Sequence, residues 1–312
     1  MNSIEKYLQQ KGLSKSTIKC YNTEILEFIA WCDQQGIEAE YATSTDITGY
    51  MKHLQNKGQA NVTRNINLNT LKHYFDYHIL NETRDDNPAR HIKIRGIAYN
   101  TLYPIFTKQE LESIYHNYHI PASNDPMSKR NWFANRQLCK QRNKAILGLM
   151  VYQGLGTDEV NRLTVKDIRL REGIVFIAGT RRGNEREMEL KPHQIMELME
   201  YQLTVRVALQ KLQTATSDLY FLPTPASGKK TITSNDGINI WKRLSQDIRA
   251  NNKKFVNFLQ VRASVITYWL QQYNLRQVQY MAGHRYVSTT ENYLANNMEA
   301  LQADIDQFHP IG

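Results

Sequence analysis

Cysteine is scarce in this 312-residue chain, which contains only Cys20, Cys32 and Cys139. Three is an odd number, and none of these residues has CxxC spacing. The sequence therefore predicts neither a disulfide framework nor a zinc site. We expect reduced thiols, no bound metal ion and an intracellular protein.

Long apolar runs are also missing. No uninterrupted apolar stretch approaches the length needed to cross a bilayer, and residues 1–6 contain no apolar signal core. These two absences predict a cytoplasmic protein with no membrane partner. The sequence contains no internal repeat and no low-complexity tract.

Acidic residues are outnumbered by basic ones. The chain has 39 Lys and Arg against 30 Asp and Glu, which gives a net charge of +9. Such an excess favours polyanions such as DNA or RNA, although a merely basic soluble protein has the same composition. With 41% hydrophobic residues, the chain is long enough for two domains, each with its own core.

The N-terminal part, residues 2–96, predicts a small helical domain because its apolar residues recur at helical spacing. Ser14 is suited to cap the second helix, and Thr45 or Asp46 the third. A fourth helix is expected over 62–77.

Polar and basic side chains accompany the apolar residues of that fourth helix. Among them, Arg64, Asn67 and Lys72 are candidates for contacts with DNA phosphates and base edges. A solvated helix face has the same composition, and this segment alone does not separate the two interpretations.

A connection follows, in which Pro88 disfavours helix at the residue before it. Lys93 and Arg95 would lie along a DNA backbone if the two domains clamp a duplex. A second domain then opens with Thr107 as helix cap and Glu110 placed for a capping box. We therefore divide the chain into a domain over 1–96, a linker over 97–105 and a domain over 106–312.

The second domain is predicted to be helical around one β-hairpin. Strands are expected over 173–178 and 187–190, because β-branched and aromatic residues fill the first and the second alternates. The basic tip between them carries Arg181 and Arg182, which can reach a phosphate or lie on a solvated turn. Helices are expected over 143–153, from Thr157 onward, and over 193–213, 235–250 and 261–273, with Lys229 and Lys230 in a basic loop.

The stretch from Gly283 to Tyr293 combines a Gly-His corner, a run of hydroxyl residues suited to cap a helix, and a tyrosine nine residues after His284. This spacing suggests that an imidazole and a phenol approach one point. Tyr293 is the candidate nucleophile.

Five segments in this order resemble the tyrosine recombinases, the phage-integrase-like site-specific recombinases, over nearly the whole chain. These segments are the helical part ending at Asn87-Pro88-Ala89, and residues 106–111, 154–160, 262–267 and 283–293. The resemblance implies a mainly α fold with a small antiparallel β-sheet, in which a helical core-binding domain precedes a recombinase catalytic domain.

The resemblance also implies a chemistry. A tyrosine attacks a DNA phosphodiester and forms a 3′-phosphotyrosyl link, which a 5′-hydroxyl later reverses, with neither metal nor nucleotide cofactor. Carried over by position, Tyr293 is the nucleophile, Arg262 the second arginine, His284 the last histidine and Glu159 the acidic residue of the first motif. Arg181 or Arg182 stands for the family's hairpin lysine.

Two positions depart from the family's pattern. Gly156 stands where the family has its first arginine, and Leu259 where it has the histidine of His-x-x-Arg. Arginine neutralises phosphate charge with a planar fork of donors, so its loss bears on activity rather than on fold. Arg285, Arg162 or Arg181 is expected to substitute.

Three functions compete at this level. The first is a recombinase of a mobile element that acts on double-stranded DNA, as a homotetramer joined through the amphipathic tail 301–308 and as a monomer without DNA. That tail could instead fold back on its own domain. The second is a catalytically impaired DNA-binding protein on the same fold, acting as a regulator or as partner of an active recombinase. The third is a helical interaction scaffold, for which DNA binding would be undetectable or insensitive to salt.

Overall fold

The computed structural model describes residues 3–97, 103–122, 124–181, 183–225 and 229–294. These residues are mainly helical and include a three-stranded antiparallel sheet, which confirms the predicted fold class. The chain divides into two compact units, residues 1–101 and 102–312.

The described part of the first unit is built from four α-helices around an aromatic core. Phe28 and Phe75 are fully buried in that core. After the last helix, Ile92 and Ile94 pack against the same residues, so the basic segment that contains Lys93 and Arg95 lies along this unit. The helices are α1 (Ser3–Gln10), α2 (Lys15–Gln35), α3 (Ser44–Asn56) and α4 (Asn61–Leu80).

Side-chain caps set two of these helix starts. Ser14 caps α2 by accepting from the backbone N–H of Thr17 at 3.2 Å, as predicted. Helix α3 is capped by Thr43, and Asp46 accepts from the backbone N–H of Thr43 at 2.8 Å. The prediction of Thr45 or Asp46 as cap was wrong, because Asp46 is the reciprocal partner three residues inside the helix.

The second unit surrounds a buried central helix. Helix α6 contributes side chains such as Ile146 and Leu149, which are fully buried, and α11 packs against it through Val265 and Ile266. Thr107 and Glu110 form the predicted capping box at the start of the first helix. The helices are α5 (Lys108–His116), α6 (Phe133–Gln153), α7 (Thr157–Arg162), α8 (Pro192–Glu200), α9 (Arg206–Lys211), α10 (Ser234–Asn251), α11 (Phe258–Gln272), α12 (Leu275–Ala282) and α13 (Val287–Glu291).

The predicted β-hairpin is present, and a short strand extends it. The strands β1 (Ile168–Arg169), β2 (Ile174–Ile177) and β3 (Arg186–Glu189) lie in that order, each antiparallel to the next. Ile177 is the register partner of Arg186. The sequence did not predict β1, which has two residues and therefore too little pattern to detect.

The long helix expected over 193–213 is continuous but irregular. Helices α8 and α9 are joined by a π-helical turn at Tyr201–Val205. None of the described helices is long and apolar enough to cross a membrane.

Candidate active site

The first wall of the site is the corner between α6 and α7. Helix α6 ends at Gly154, whose φ of 62° is a left-handed conformation that glycine adopts without strain. Gly156 then caps α7, and its backbone N–H donates to Oε2 of Glu159 at 2.8 Å. The Glu159 carboxylate is thereby turned back over the start of its own helix.

Glu159 is shared by two arginines from different elements. Nη1 of Arg262, on α11, donates to Oε2 of Glu159 at 2.6 Å. Nη1 and Nη2 of Arg186, on β3, donate to its Oε1 and Oε2 at 2.7 and 3.1 Å. This bidentate pairing is the geometry in which a guanidinium binds a carboxylate most strongly.

The carboxylate of Glu159 is strongly held in its ionised form. Burial raises its pKa, but the hydrogen bond from Arg186, the charges of Arg262 and Arg186 and the N–H of Gly156 outweigh that effect and lower the pKa to about 2. Glu159 therefore carries a negative charge at neutral pH.

Arg262 also connects two separate helix ends. Its Nη1 donates to the carbonyl of Gly154 at 2.7 Å and its Nη2 to the carbonyl of Ala282 at 2.6 Å. The side chain keeps 13% of its surface exposed. Arg262 thus fixes the α6 and α12 ends relative to Glu159 while retaining access to solvent.

The second wall is the Gly283-His284 corner, against which the hairpin tip lies. Gly283 ends α12 with a left-handed φ of 67°. The backbone N–H of Asn184 donates to the carbonyl of Gly283 at 2.9 Å, and Gly183 forms a β-bridge with His284. The sheet is therefore attached directly to the corner.

His284 lies between Thr290 and Tyr293. The imidazole is 8% exposed, and its Nδ1 is 2.9 Å from Oγ1 of Thr290. The ring of Tyr293 stacks on it with centroids 5.6 Å apart and planes 11° from parallel. The structure therefore brings the imidazole and the phenol ring together. The hydroxyl run does not cap α13, whose cap is Tyr286, because residues 288–290 lie inside the helix.

His284 is neutral at physiological pH. Burial first, and then the charges of Arg262 and Arg186, lower the pKa of His284 to about 4, against an opposing effect of Glu159. A neutral imidazole has one N–H donor and one acceptor nitrogen. Because the Thr290 hydroxyl both donates and accepts, the 2.9 Å contact suits either tautomer.

Acidification is expected to destabilise the protein through His284. The unfolded imidazole takes up a proton below its ordinary pKa of about 6.5, whereas the folded one stays neutral down to about pH 4. The free energy of unfolding is therefore unaffected by this imidazole above pH 6.5, and it decreases as the pH falls below that value because only the unfolded state binds the proton. We expect the wild type to lose about 2 kcal/mol more of its free energy of unfolding than His284→Asn between pH 7 and pH 5.

Urea unfolding of the full chain at both pH values measures this difference. The asparagine keeps a polar atom near Thr290, and the lowered pKa values of His73, His78 and His193 are common to both proteins and cancel. Equal pH dependence of the two proteins would contradict the prediction.

The structure thus places four of the predicted site residues in one connected cluster: Glu159, Arg262, His284 and Tyr293. Leu259, where the family has a histidine, lies one turn before Arg262 on α11 and is 62% exposed.

The proposed substitutes for the first arginine, Arg285, Arg162 and Arg181, are all exposed. Nη1 of Arg285 donates to the carbonyl of Arg181 on the hairpin tip at 2.9 Å, and Nε of Arg162 to the carbonyl of Asp158 at 3.0 Å. Arg181 is exposed. Arg182 lies outside the described residues.

The candidate DNA-contacting residues differ in how far their side chains are buried. Arg64 is 8% and Asn67 1% exposed, and Arg64 donates to the carbonyl of Met51 and to Gln55 inside its own unit. That burial does not fit the predicted DNA contacts, because the Arg64 side chain binds residues of α3 and the Asn67 side chain donates to the carbonyl of Thr63 in α4. Lys72 is half-buried, and the exposed candidates are Lys93, Arg95, Lys229 and Lys230.

Arg186 is the site residue that the sequence interpretation missed. A signal was available: residues of a strand alternate between faces, which places Arg186 on the face of Met188, opposite to Glu187 and Glu189. The observed exposures follow that alternation, and Arg186 is 2% exposed. A basic residue on the inward face of a strand indicates a buried ion pair.

Two family models match the chain. Residues 105–300 match the phage integrase family, and residues 1–85 match the N-terminal SAM-like domain of phage integrases. The chain belongs to the phage integrase family. It is thus a tyrosine recombinase with a core-binding and a catalytic domain.

Individual relatives are distant but match along the whole length. The tyrosine recombinase XerD of Staphylococcus epidermidis is 27% identical, over 99% of this chain and 99% of the relative. The Tn1549 transposon integrase in complex with a circular intermediate DNA has a TM-score of 0.66 at 15% identity, covering 98% of each chain. A lambda integrase tetramer bound to a Holliday junction has a TM-score of 0.56 at 16% identity, covering 91% of this chain and 75% of that one. At such identities the two structures support the fold alone.

Proposed function

We propose that this recombinase is catalytically active and cleaves and rejoins duplex DNA through Tyr293. The phenol oxygen of Tyr293 bonds to a backbone phosphorus and loses its proton, while the bond from phosphorus to the 5′ oxygen breaks and that oxygen takes up a proton. A 5′-hydroxyl from another strand reverses the step. The observation that carries this proposal is the connection of Tyr293, through His284 and the Gly283 corner, to Arg262 and Glu159.

Each residue has a role that fits its environment. Arg262 is partly exposed and held by Glu159 and two carbonyl groups, so its guanidinium is preorganised to face a phosphate. His284 is neutral and can therefore take or give a proton near the Tyr293 ring. Arg181 and Arg182, on the hairpin, are proposed as additional phosphate contacts.

DNA binding is proposed to use exposed cations of both units: Lys93 and Arg95 beside the first core, and Lys229 and Lys230 before α10. On DNA, the protein is proposed to assemble as a homotetramer through its tail, 301–308, which lies outside the described residues. A mobile element is proposed as its source.

A covalent trapping experiment tests the activity. The full chain selects duplexes from a random-sequence pool, and the selected site is rebuilt with nicks at successive positions, so that cleavage releases a short 5′-hydroxyl fragment and cannot be reversed. We expect the wild type to form a covalent protein–DNA adduct, and Tyr293→Phe to form none because phenylalanine has no nucleophilic oxygen. Tyr286→Phe is the matched control, since Tyr286 lies at the start of α13, the helix that Tyr293 follows, and is 67% exposed.

The same experiment distinguishes the second candidate function, a DNA-binding protein without strand transfer. Gly156 and the exposed Leu259 favour that function, because each removes a group that contacts phosphate or carries a proton in the family. Tight binding to the selected duplexes with no adduct at any nick position would support it and overturn the proposed activity.

A further inference from the structure

Arg186 is the most deeply buried cation next to the candidate active site. Its side chain is 1% exposed, and both terminal nitrogens bind Glu159. Its Nε–H is buried and has no hydrogen-bond partner among the residues that the structure describes. Burying a charge is costly even when it is paired, and the Nε–H adds an unsatisfied donor, so such a residue needs a reason beyond packing.

The position that lacks an arginine faces the same carboxylate. A Cβ atom added to Gly156 would lie 3.6 Å from Oε2 of Glu159 and 3.7 Å from Nη1 of Arg262, which are ordinary contact distances. Gly156 has a φ of −81°, so its backbone does not require glycine. An arginine side chain could therefore start at Gly156 and enter the cluster around Glu159. In this chain a guanidinium enters that cluster from β3 instead.

The charge balance of the cluster depends on this guanidinium. Arg262 and Glu159 cancel, and His284 is neutral, so Arg186 gives the group its net positive charge. A phosphodiester is negatively charged, and cleavage requires that charge to be neutralised in a poorly solvated site. Without Arg186, the pair of Arg262 and Glu159 would offer a phosphate no net charge.

We propose that Arg186 supplies, from β3, the positive charge that the family's first arginine supplies from the position of Gly156. The proposal rests on the proposed cleavage activity. Arg186 acts on the phosphate by its charge across the site, and we assign it no contact with the substrate. Arg285, Arg162 and Arg181 are then not needed for this role. Arg285 donates to the carbonyl of Arg181 and Arg162 to the carbonyl of Asp158, rather than to Glu159.

The first test measures adduct formation on the nicked duplexes by the full-length Arg186→Gln and Arg186→Lys variants. We expect Arg186→Gln to slow the step by about tenfold or more, which is less than the loss of a donor that contacts the phosphate directly, because Arg186 acts by its charge alone. Arg186→Lys keeps the charge but loses the bidentate pairing with Glu159, so it should cleave more slowly than the wild type and clearly faster than Arg186→Gln. A wild-type rate in Arg186→Gln would overturn the inference while leaving the activity of Tyr293 intact. Absence of an adduct in the wild type would instead overturn the proposed function.

A substrate with an uncharged scissile group distinguishes a charge role of Arg186 from a structural role. When a methylphosphonate replaces the scissile phosphate, the charge to be neutralised is gone. The ratio of the Arg186→Gln rate to the wild-type rate should then rise toward one. Because both substrates are cleaved by the same folded variant, partial misfolding cancels in the comparison. An equal deficit on both substrates would overturn the charge role and assign Arg186 to structure.

Relocation of the cation provides a second, independent check. The double variant Gly156→Arg with Arg186→Gln returns an arginine to the family's position, where a Cβ atom would make only ordinary contacts. We expect the double variant to form the adduct at least about ten times faster than Arg186→Gln alone, which corresponds to about 1.4 kcal/mol of the barrier. No recovery, in a double variant that binds the selected duplex as the wild type does, would count against Arg186 as the substitute.

Discussion

Glu159→Gln is expected to lower the free energy of unfolding by about 3–5 kcal/mol, because it leaves two largely buried guanidinium groups without a counter-charge. Arg186 and Arg262 are 1% and 13% exposed, and both donate to this carboxylate. A glutamine keeps the size and one acceptor oxygen, but its amide N–H groups face the guanidinium donors. Urea unfolding of the full chain, followed by tryptophan fluorescence, measures the loss.

Glu187→Gln is the matched control for that experiment. Glu187 lies next to Arg186 on β3 and pairs with Arg169 at 2.9 Å, but the two side chains are 46% and 40% exposed. An exposed pair contributes at most about 1 kcal/mol, so this variant should unfold almost as the wild type does. A similar loss in both variants would contradict a special role for the shared carboxylate of Glu159.

The sequence predictions were correct for features that depend on residues close together in the chain. The capping box of Thr107 and Glu110 and the cap at Ser14 depend on side chains within three residues of the helix start, and both are observed. The two hairpin strands were likewise predicted, because β-branched residues and period-2 alternation are visible in a short window.

Predictions failed where a distant partner decides the role of a side chain. Thr290 was expected to contribute to a helix cap, but it lies inside α13, and its hydroxyl contacts His284, which the corner at Gly283 brings back toward this helix. Arg64 was a candidate for DNA contact or for a solvated helix face, and its side chain is instead buried and donates to the carbonyl of Met51, thirteen residues earlier in the chain. Polarity alone therefore does not determine whether a side chain faces water or another part of the fold.

Arg186 shows why a motif-based interpretation of this site was incomplete. The family's first motif contains its arginine three positions before the acidic residue, so the absence at Gly156 directed attention to nearby or exposed arginines. The proposed role requires only a cation that reaches the carboxylate of Glu159, whichever element carries it. Arg186 on β3 binds that carboxylate from 27 residues away in the chain.

Gly283→Ala is expected to disrupt the site through both backbone and side chain. A Cβ atom at Gly283 would overlap Nη1 of Arg186 and lie 3.0 Å from its Cζ and 3.1 Å from the carbonyl oxygen of Asn184. The left-handed φ of 67° adds about 1–2 kcal/mol for any residue with a Cβ. Together with about 1–3 kcal/mol for overpacking, we expect a loss of about 2–5 kcal/mol in the free energy of unfolding. Displacement of Arg186 should also slow adduct formation on the nicked duplex.

Gly173→Ala isolates the backbone part of that effect. Gly173 has a φ of 69°, and the nearest atom to its added Cβ would be Cδ1 of Ile195 at 3.4 Å, so the substitution imposes the strain without the overlap. We expect this control to lose about 1–2 kcal/mol and to form the adduct at the wild-type rate. The prediction would be contradicted if Gly283→Ala and Gly173→Ala had the same free energy of unfolding and formed the adduct at the same rate. Arg186 would then have to tolerate displacement from Glu159. The close fit of Gly283 against that guanidinium would then have no part in catalysis.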